Sequence, residues 1–467
     1  MSTLAGVSPR VSREVLRQWM PAALSAAGAL GLSLYLACRN YQVDIDVYRM
    51  GGQHFGLSDL YSVRFRNSGL LFTYTPFAAL VFALLPLSFG IWSLQREWAV
   101  VNIVALAALI YLSIRIVVPR LPRNRVVAGA LVLLLPALAL NPVFNTIGLG
   151  QINLVLCVLV VWDLGTDRRI GSRTLPLGIA IGLAAAVKLT PLIFVPYLII
   201  TGRARGALNA VITFIACESI AFLASPGDSW TYWTKDVFDS KRAGALLYSS
   251  DQNLSSALER FHHGPVSAFV LVPLLVVIGI GGLALAAWAH RKSSVMLGLL
   301  VCATTGLIIS PITWVHHMVW VVPAIIWLAA GADRPRRGRL LAGLTTVLFV
   351  AAPIWWVPTS WKVSKHPPEL HQNHWQLLAG NSFLLAMLAF LMGVAILLVR
   401  RSGWSLRGRS SQAVLGYLRE RRERASVARI HRRVDVPVEE GADQLGSPVT
   451  VGATDADLAS EHLEFVE

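Results

Sequence analysis

The stretch WMPAALSAAGALGLSLYLAC, Trp19–Cys38, runs straight into RNYQVDIDVYR, Arg39–Arg49, and so sets two carboxylates, Asp44 and Asp46, at the end of an apolar segment. The apolar part is long enough to cross a hydrocarbon core and too long for a typical cleaved signal. Arg10, Arg13 and Arg17 precede it, which places the N-terminus in the cytoplasm and Asp44 and Asp46 on the far side. Leu36-Ala37-Cys38 has the outline of a lipoprotein cleavage site, but Tyr35 stands where a small aliphatic residue is needed. Ionisable groups next to lipid are expensive unless solvated or paired, so two acids at the mouth of a helical bundle mark a candidate site. The bland alternative is the solvated start of a loop. That loop, Arg39 to about Gly69, is rich in Gly, Tyr and Arg and reads as short helices lying along the interface.

Composition extends this reading to the whole chain. Of 467 residues 55% are hydrophobic and 14% charged, with a mean hydropathy of +0.58, which the surface of a soluble globular domain does not tolerate. The class is an all-α polytopic membrane protein. A net charge of +15 in a soluble protein would suggest nucleic acid, but here the basic residues lie between apolar segments and in the C-terminal tail, where positive-inside orientation accounts for most of them. Cys38, Cys157, Cys217 and Cys302 lie in or beside apolar segments without metal-ligand spacing, and read as small core residues.

Further apolar segments fall at about 70–89, 95–118, 126–142, 147–164, 175–200, 206–224, 266–289, 294–311, 315–331, 340–357 and 378–399, roughly twelve with the first. HRK at 290–292, DRPRRGR at 333–339 and RRSGWSLRGR at 400–409 belong in the cytoplasm, which leaves 225–265, 312–314 and 358–377 outside with the Asp44 loop. Twelve plain crossings are the preferred count, yet they put two basic loops, RLPRNR at 120–125 and TDRRIGSR at 166–173, on the wrong side. An alternative obeys the charge rule: 70–118 crosses once and 175–200 is re-entrant, broken near Lys188-Leu189-Thr190-Pro191. The domain layout is a cytoplasmic N-terminus at 1–18, a membrane domain at 19–400 and a cytoplasmic tail at 401–467, helical around 411–425 and otherwise disordered. No internal repeat is visible.

The remaining polar residues need partners. Lys188 sits near the middle of the run 175–200, too deep to snorkel easily, and calls for an anion such as a phosphate, or else for a loop carboxylate or a helix C-terminus. His316 and His317 follow the helix-breaking Pro311 beside Trp314; adjacent residues cannot share one helix face, so one is structural while the other points into a cavity, or both are neutral interfacial groups. Zinc lacks a third ligand at usable spacing. Gln151 and Asn153 in GLGQINLVL, 148–156, head an apolar helix, where exposed backbone donors suit a sugar hydroxyl or a phosphate as well as an ordinary cap. In SSDQNLSSALERF, 249–261, Asp251 and Ser255 read as caps and Asn253 as a contact. Phe72, Tyr74 and Trp314 offer aromatic faces for a pyranose or for a membrane belt.

Taken in order, VDIDVYR, TYTPFAAL at 73–80, GLGQINL at 148–154, VKLTPLIF at 187–194, DQNLSSALERF at 251–261 and SPITWVHH at 310–317 resemble glycosyltransferase family 87, the actinobacterial polyprenyl-phosphate-mannose-dependent alpha-1,2-mannosyltransferases, including the enzymes of phosphatidylinositol mannoside synthesis. Each motif alone is weak; six in order within one hydrophobic frame are fairly specific, and the likeness covers about residues 19–400. It implies a GT-C-type membrane bundle with extracytoplasmic catalytic loops in the plasma membrane, a polyprenyl-phosphate mannose donor entering from the lipid, and a mannosylated phosphoinositide acceptor. It also implies a catalytic aspartate in the first outer loop, which by position in the motif is Asp44; the family pattern does not clearly require Asp46.

An inverting transfer needs a carboxylate base, an oxocarbenium-like transition state and donors for the departing phosphate. Asp44 fits the base, Lys188 with His316 or His317 the phosphate, and Gln151, Asn153 and Asn253 the sugars. No cofactor is required, although the Asp-x-Asp spacing leaves room for a divalent ion. A transporter or flippase of a lipid-linked sugar is the rival class; it would also use a polar cavity and a buried lysine, but the acids lie in an outer loop rather than at mid-membrane.

Overall fold

The computed structural model describes residues 9–402 apart from 40–41, 66–68, 86–89, 171 and 332–334, with the backbone alone at 9–18, 170 and 335. The tail expected at 401–467 lies outside the described residues from Gly403 onward. What is described is almost wholly helical, and six helices have the length and composition to cross a membrane: Trp19–Arg39, Ile91–Val117, Ala204–Ala224, Ala268–Lys292, Arg336–Trp355 and Ser382–Arg401. Their outer faces are apolar. Along Ala268–Lys292, Phe269 is 93% and Val277 67% exposed, a surface that lipid accepts and water does not. The chain is therefore a multi-pass membrane protein.

The other apolar segments are short or broken, and the breaks position the site. After α1 (Pro9–Arg39) and α2 (Val43–His54), a two-residue hairpin of β1 (Arg64–Phe65) and β2 (Leu70–Leu71) leads into α3 (Pro76–Ala83). At eight residues α3 reaches roughly 12 Å, well short of a hydrocarbon core. α4 (Ile91–Val117) is the full-length helix of this region, followed by α5 (Arg123–Val132) and α6 (Leu134–Leu138). α7 (Asn141–Leu149) ends at Gly150 in the left-handed region, φ 75°, and α8 (Asn153–Gly165) leaves at 120° to it.

The segment expected at 175–200 is broken at Lys188. α9 (Ile179–Val187) stops there because Lys188 is extended, φ −151° and ψ 128°; a 3₁₀ turn at Thr190–Ile193 and α10 (Phe194–Ile200) follow. A three-residue turn joins α10 to α11 (Ala204–Ala224), so those two run antiparallel. α9 runs parallel to α11, since Gly178 meets the backbone of Gly206 while Gly182 meets Ala210 and Thr213. The run thus goes in and comes back. Gly178 is obligatory: its φ is +101°, and a Cβ would stand 1.9 Å from the Gly206 carbonyl oxygen. From the end of α8, Asp163 accepts the N–H groups of Gly178 and Ile181 at 3.0 Å and so caps the free donors of α9.

α12 (Pro226–Thr234) and α13 (Leu254–Phe261) lie in the loop before α14 (Ala268–Lys292) and α15 (Val295–Ile309). The last broken segment carries a 3₁₀ turn at Val315–Trp320, then α16 (Val321–Ile326) and a π turn at Trp327–Gly331. α17 (Pro335–Ala351), the short α18 (His374–Gly380) and α19 (Ser382–Arg401) complete the bundle. Irregular backbone inside such a bundle is tolerated where it lines a cavity. Here the interruptions at Gly150, Lys188 and Ser310–Trp314 meet at one.

Candidate active site

The acids come first in the chain. α2 holds both in its first turn, where carboxylates complement the helix dipole. Two residues apart on a helix means about 200° around the axis. Asp44 accordingly faces a chamber of about 360 Å³, while Asp46 is 5% exposed and does not line it. Carboxylates so arranged do not converge on one ion. Among the described residues no group of three or more His, Cys, Asp or Glu is placed to hold a metal.

α2 is anchored at both ends. The Gln42 side chain donates to the Ile147 carbonyl at 2.7 Å, and Gly52 packs so closely that a Cβ would stand 2.6 Å from the backbone of Phe82 and Ala83 at the end of α3. One turn after Asp44, Tyr48 stacks on Phe82 with ring centroids 4.3 Å apart and turns its hydroxyl toward the chamber wall. Its neighbours are Tyr74 OH at 2.7 Å and Gln151 Oε1 at 2.8 Å; Tyr74 OH also donates to Gln151 Oε1, at 3.0 Å. Gln151 hydrogen-bonds Asp44 as well. Tyr74 is held in register because the next residue, Thr75, caps α3 and donates through Oγ1 to the carbonyl of Ala186 near the end of α9.

That contact sets Lys188 beside Tyr74. Lys188 Nζ donates to Asn153 Oδ1 at 3.0 Å and to His317 Nε2 at 2.9 Å, and lies 5.2 Å from the Tyr74 ring centroid. An ammonium makes His317 Nε2 an acceptor and leaves the imidazole proton on Nδ1. His316 packs edge-on against His317, centroids 4.8 Å apart, and its Nε2 has no protein partner among the described residues. Its carbonyl accepts from Thr146 Oγ1 at 3.2 Å, which ties the histidine turn to α7. Asp44, Tyr74, Gln151, Lys188, His316 and His317 all line the chamber, as do Phe72 and Trp314; Asn153 stands just behind as the lysine's acceptor.

Asn253 has a different place. It is fully buried as the N-cap of α13, accepting from Ser256 N at 2.7 Å and donating to the Pro311 carbonyl at 2.7 Å, and it is absent from the chamber wall. Asp251 beside it is likewise buried: Oδ1 accepts from Thr313 N at 2.7 Å and Oδ2 from Ser256 Oγ at 3.1 Å, so this loop holds the backbone just before Trp314 and the histidines.

Burial pushes the Asp44 carboxyl up to about 6, partly opposed by the Gln151 hydrogen bond and the Lys188 charge. A carboxylate so tuned is ionised at neutral pH and still basic enough to take a hydroxyl proton as that hydroxyl attacks. Lys188 brings a cationic side chain to the chamber wall, with two of its donors fixed by Asn153 and His317.

Tyr48 and Arg242 are among the chamber residues that the sequence did not single out. Tyr48 had a signal, four residues beyond Asp44 on a helix. Arg242 had none, because its place depends on how the 225–265 loop folds: it pairs with Asp236 at 3.1 Å and donates to the Tyr61 carbonyl at 2.5 Å.

A sequence profile of glycosyltransferase family 87 matches residues 72–311. The chain is 32% identical over 425 residues to a polyprenol-phosphate-mannose-dependent alpha-(1-2)-phosphatidylinositol mannoside mannosyltransferase of Mycobacterium tuberculosis, a match covering 85% of this chain and 94% of the relative. It is 32% identical over 414 residues to the protein of the same name from Mycolicibacterium smegmatis, covering 81% and 88%. A polyprenol-phosphate-mannose-dependent alpha-(1-2)-phosphatidylinositol pentamannoside mannosyltransferase of Mycobacterium tuberculosis is 30% identical over 413 residues, covering 84% and 91%. No solved structure matches the chain.

Proposed function

The chain belongs to glycosyltransferase family 87, and from that membership and the chamber's geometry we propose that it moves mannose from polyprenyl-phosphate mannose to a hydroxyl of a phosphatidylinositol mannoside-type glycolipid, forming an alpha-1,2 linkage with inversion. The observation that carries the reading is that Asp44 and the Lys188–His317 pair line the same chamber. In the proposed step the acceptor hydroxyl gives its proton to Asp44 as its oxygen bonds to the mannosyl anomeric carbon. On the opposite face the bond from that carbon to the phosphate oxygen breaks, and its electron pair leaves with the lipid phosphate. Lys188 neutralises the departing charge, and the histidine turn lines its exit. Gln151 and the hydroxyls of Tyr48 and Tyr74 hold the sugars and Asp44 in place. Phe72 and Trp314 give the pyranose apolar faces. The step calls for no metal: a polyprenyl phosphate leaves readily once it is neutralised.

Membrane placement belongs to the same proposal. With 70–118 crossing once and 175–200 re-entrant at Lys188, the basic loops 120–125 and 166–173 and the ends of the membrane domain face the cytoplasm. The loops at 39–69, 225–265 and 358–377, with the chamber, face outward across the plasma membrane. The short α3 and the parallel run of α9 and α11 favour this over twelve plain crossings. The test is to incubate purified protein with radiolabelled polyprenyl-phosphate mannose and a phosphatidylinositol mannoside and to analyse the extracted lipids. A mannosidase-sensitive alpha-1,2 product is expected; movement of lipid-linked mannose without a new glycosidic bond would mark a transporter.

A further inference from the structure

Beside the chamber lies a second cavity of about 290 Å³, with Tyr61, Leu71, Asp236 and Arg242 lining both. Its charges are uneven. The two carboxylates are already engaged: Asp228 accepts from Ser225 Oγ at 2.6 Å and from Gly56 N at 3.1 Å, and Asp236 pairs with Arg242 at 3.1 Å. The other two cations lining the cavity, Arg64 and Lys235, form no ion pair among the described residues; Arg64 donates to the Gly69 carbonyl at 3.0 Å. Three cations against two engaged acids leave the cavity with a surplus of positive charge.

We propose that this side cavity is an anion subsite holding the phosphodiester of the acceptor glycolipid between Arg64, Lys235 and Arg242. The assignment rests on the acceptor named above. A phosphodiester carries one charge on two exposed oxygens, and guanidinium and ammonium donors on several sides of a pocket suit it better than they suit neutral sugar hydroxyls. The donor's phosphate must leave from the anomeric carbon beside Lys188, so it cannot be the occupant here. The acceptor, in contrast, carries its reacting hydroxyl and its phosphodiester at different places along one molecule. A chamber and an adjoining cationic cavity match that layout, with the intervening sugars passing the Tyr61 wall.

The test compares the parent with Arg64→Gln, Lys235→Gln and the double variant, each checked for an unchanged melting profile. Two acceptors are used, a phosphatidylinositol mannoside and an alkyl mannoside ending in the same sugar but lacking phosphate. The ratio of kcat/KM for the first acceptor over the second should fall about tenfold per cation removed, as loss of a charge-assisted contact implies. Equal loss on both acceptors, or no loss, overturns the subsite. A binding measurement separates this failure from failure of the functional reading: phosphatidylinositol alone should raise the melting temperature of the parent and not that of the double variant. If no product forms yet that difference persists, the transferase reading has failed and the anion subsite stands. An equal shift with inorganic phosphate marks a simple anion site and overturns the lipid assignment.

Discussion

At the scale of single residues, Asp44 and Asp46 differ by facing rather than by chemistry. Asp46→Asn should cost activity on the order of tenfold or less, as expected of a group that orients its helix without lining the chamber. In the proposed role of base Asp44 must be ionised, and burial raises its carboxyl from 3.8 to about 6. The groups it faces are Gln151, Lys188, Tyr48 and Tyr74, and the deprotonated fraction falls as pH drops through that value. The acid limb of the kcat/KM profile should therefore lie near pH 6, and a limb near pH 4 would mean that another group is the base. The raised value also has a sign for stability. Above about pH 6 the folded parent carries a desolvated charge, so Asp44→Asn should melt above the parent at pH 7.5, and the gap should close below about pH 4, where the carboxyl is protonated in both states. Lys188→Met should raise the donor KM about tenfold or more while the fold persists, because the lone ammonium gains its full value only with an anion present. Unchanged donor kinetics would make Lys188 structural. These residues were legible because polar groups beside lipid demand an explanation. Asn253 shows where such reading stops: helix cap and sugar contact call for the same residue type, and only the packing of α13 separates them.

At the scale of elements, interruptions in helices do what intact helices do not. The apolar segments were readable from composition, but whether a segment crosses depends on local breaks. α3 stops after eight residues and α9 after nine, both inside runs that composition alone renders continuous. Pro191 and Lys188 carried the signal for the second break, and Pro76 and Pro86 bracket the first in the sequence. The seating of α2 on α3 gives a test away from the chemistry. Gly52→Ala would press a Cβ into the backbone of Phe82 and Ala83 and tilt the helix that carries Asp44; a shift of about 1 Å costs on the order of 100-fold in turnover. Full activity would show that α2 has slack. The loop at 236–253 has its own clamp, since the buried Arg260 donates to Asn381 Oδ1 at 2.7 and 3.0 Å and to the carbonyls of Leu247, Tyr248 and Asp251. Arg260→Leu leaves these acceptors unpaired and should destabilise the protein by about 3 kcal/mol, read as a lowered melting temperature.

At the scale of the molecule, the breaks in the helical runs bring polar backbone and side chains together at the chamber, while the long helices turn apolar faces outward. The proposed topology, with a re-entrant α9–α10 pair and basic loops in the cytoplasm, puts the chamber on the outer side and can be tested directly. In a background without the four native cysteines, cysteines at Arg123 and Asp167 should resist an impermeant thiol reagent in intact cells, while one at Lys362 should react; all three sites are exposed to solvent in the fold. Labelling at Arg123 and Asp167 would restore twelve plain crossings. The most direct test of the chemistry sets purified parent against purified Asp44→Asn with radiolabelled polyprenyl-phosphate mannose and a phosphatidylinositol mannoside, both saturating. If Asp44 is the base, the variant binds the donor as the parent does and forms the mannosylated lipid about 100- to 10,000-fold more slowly. Product formation within a few-fold of the parent rate would contradict that role and the mechanism built on it.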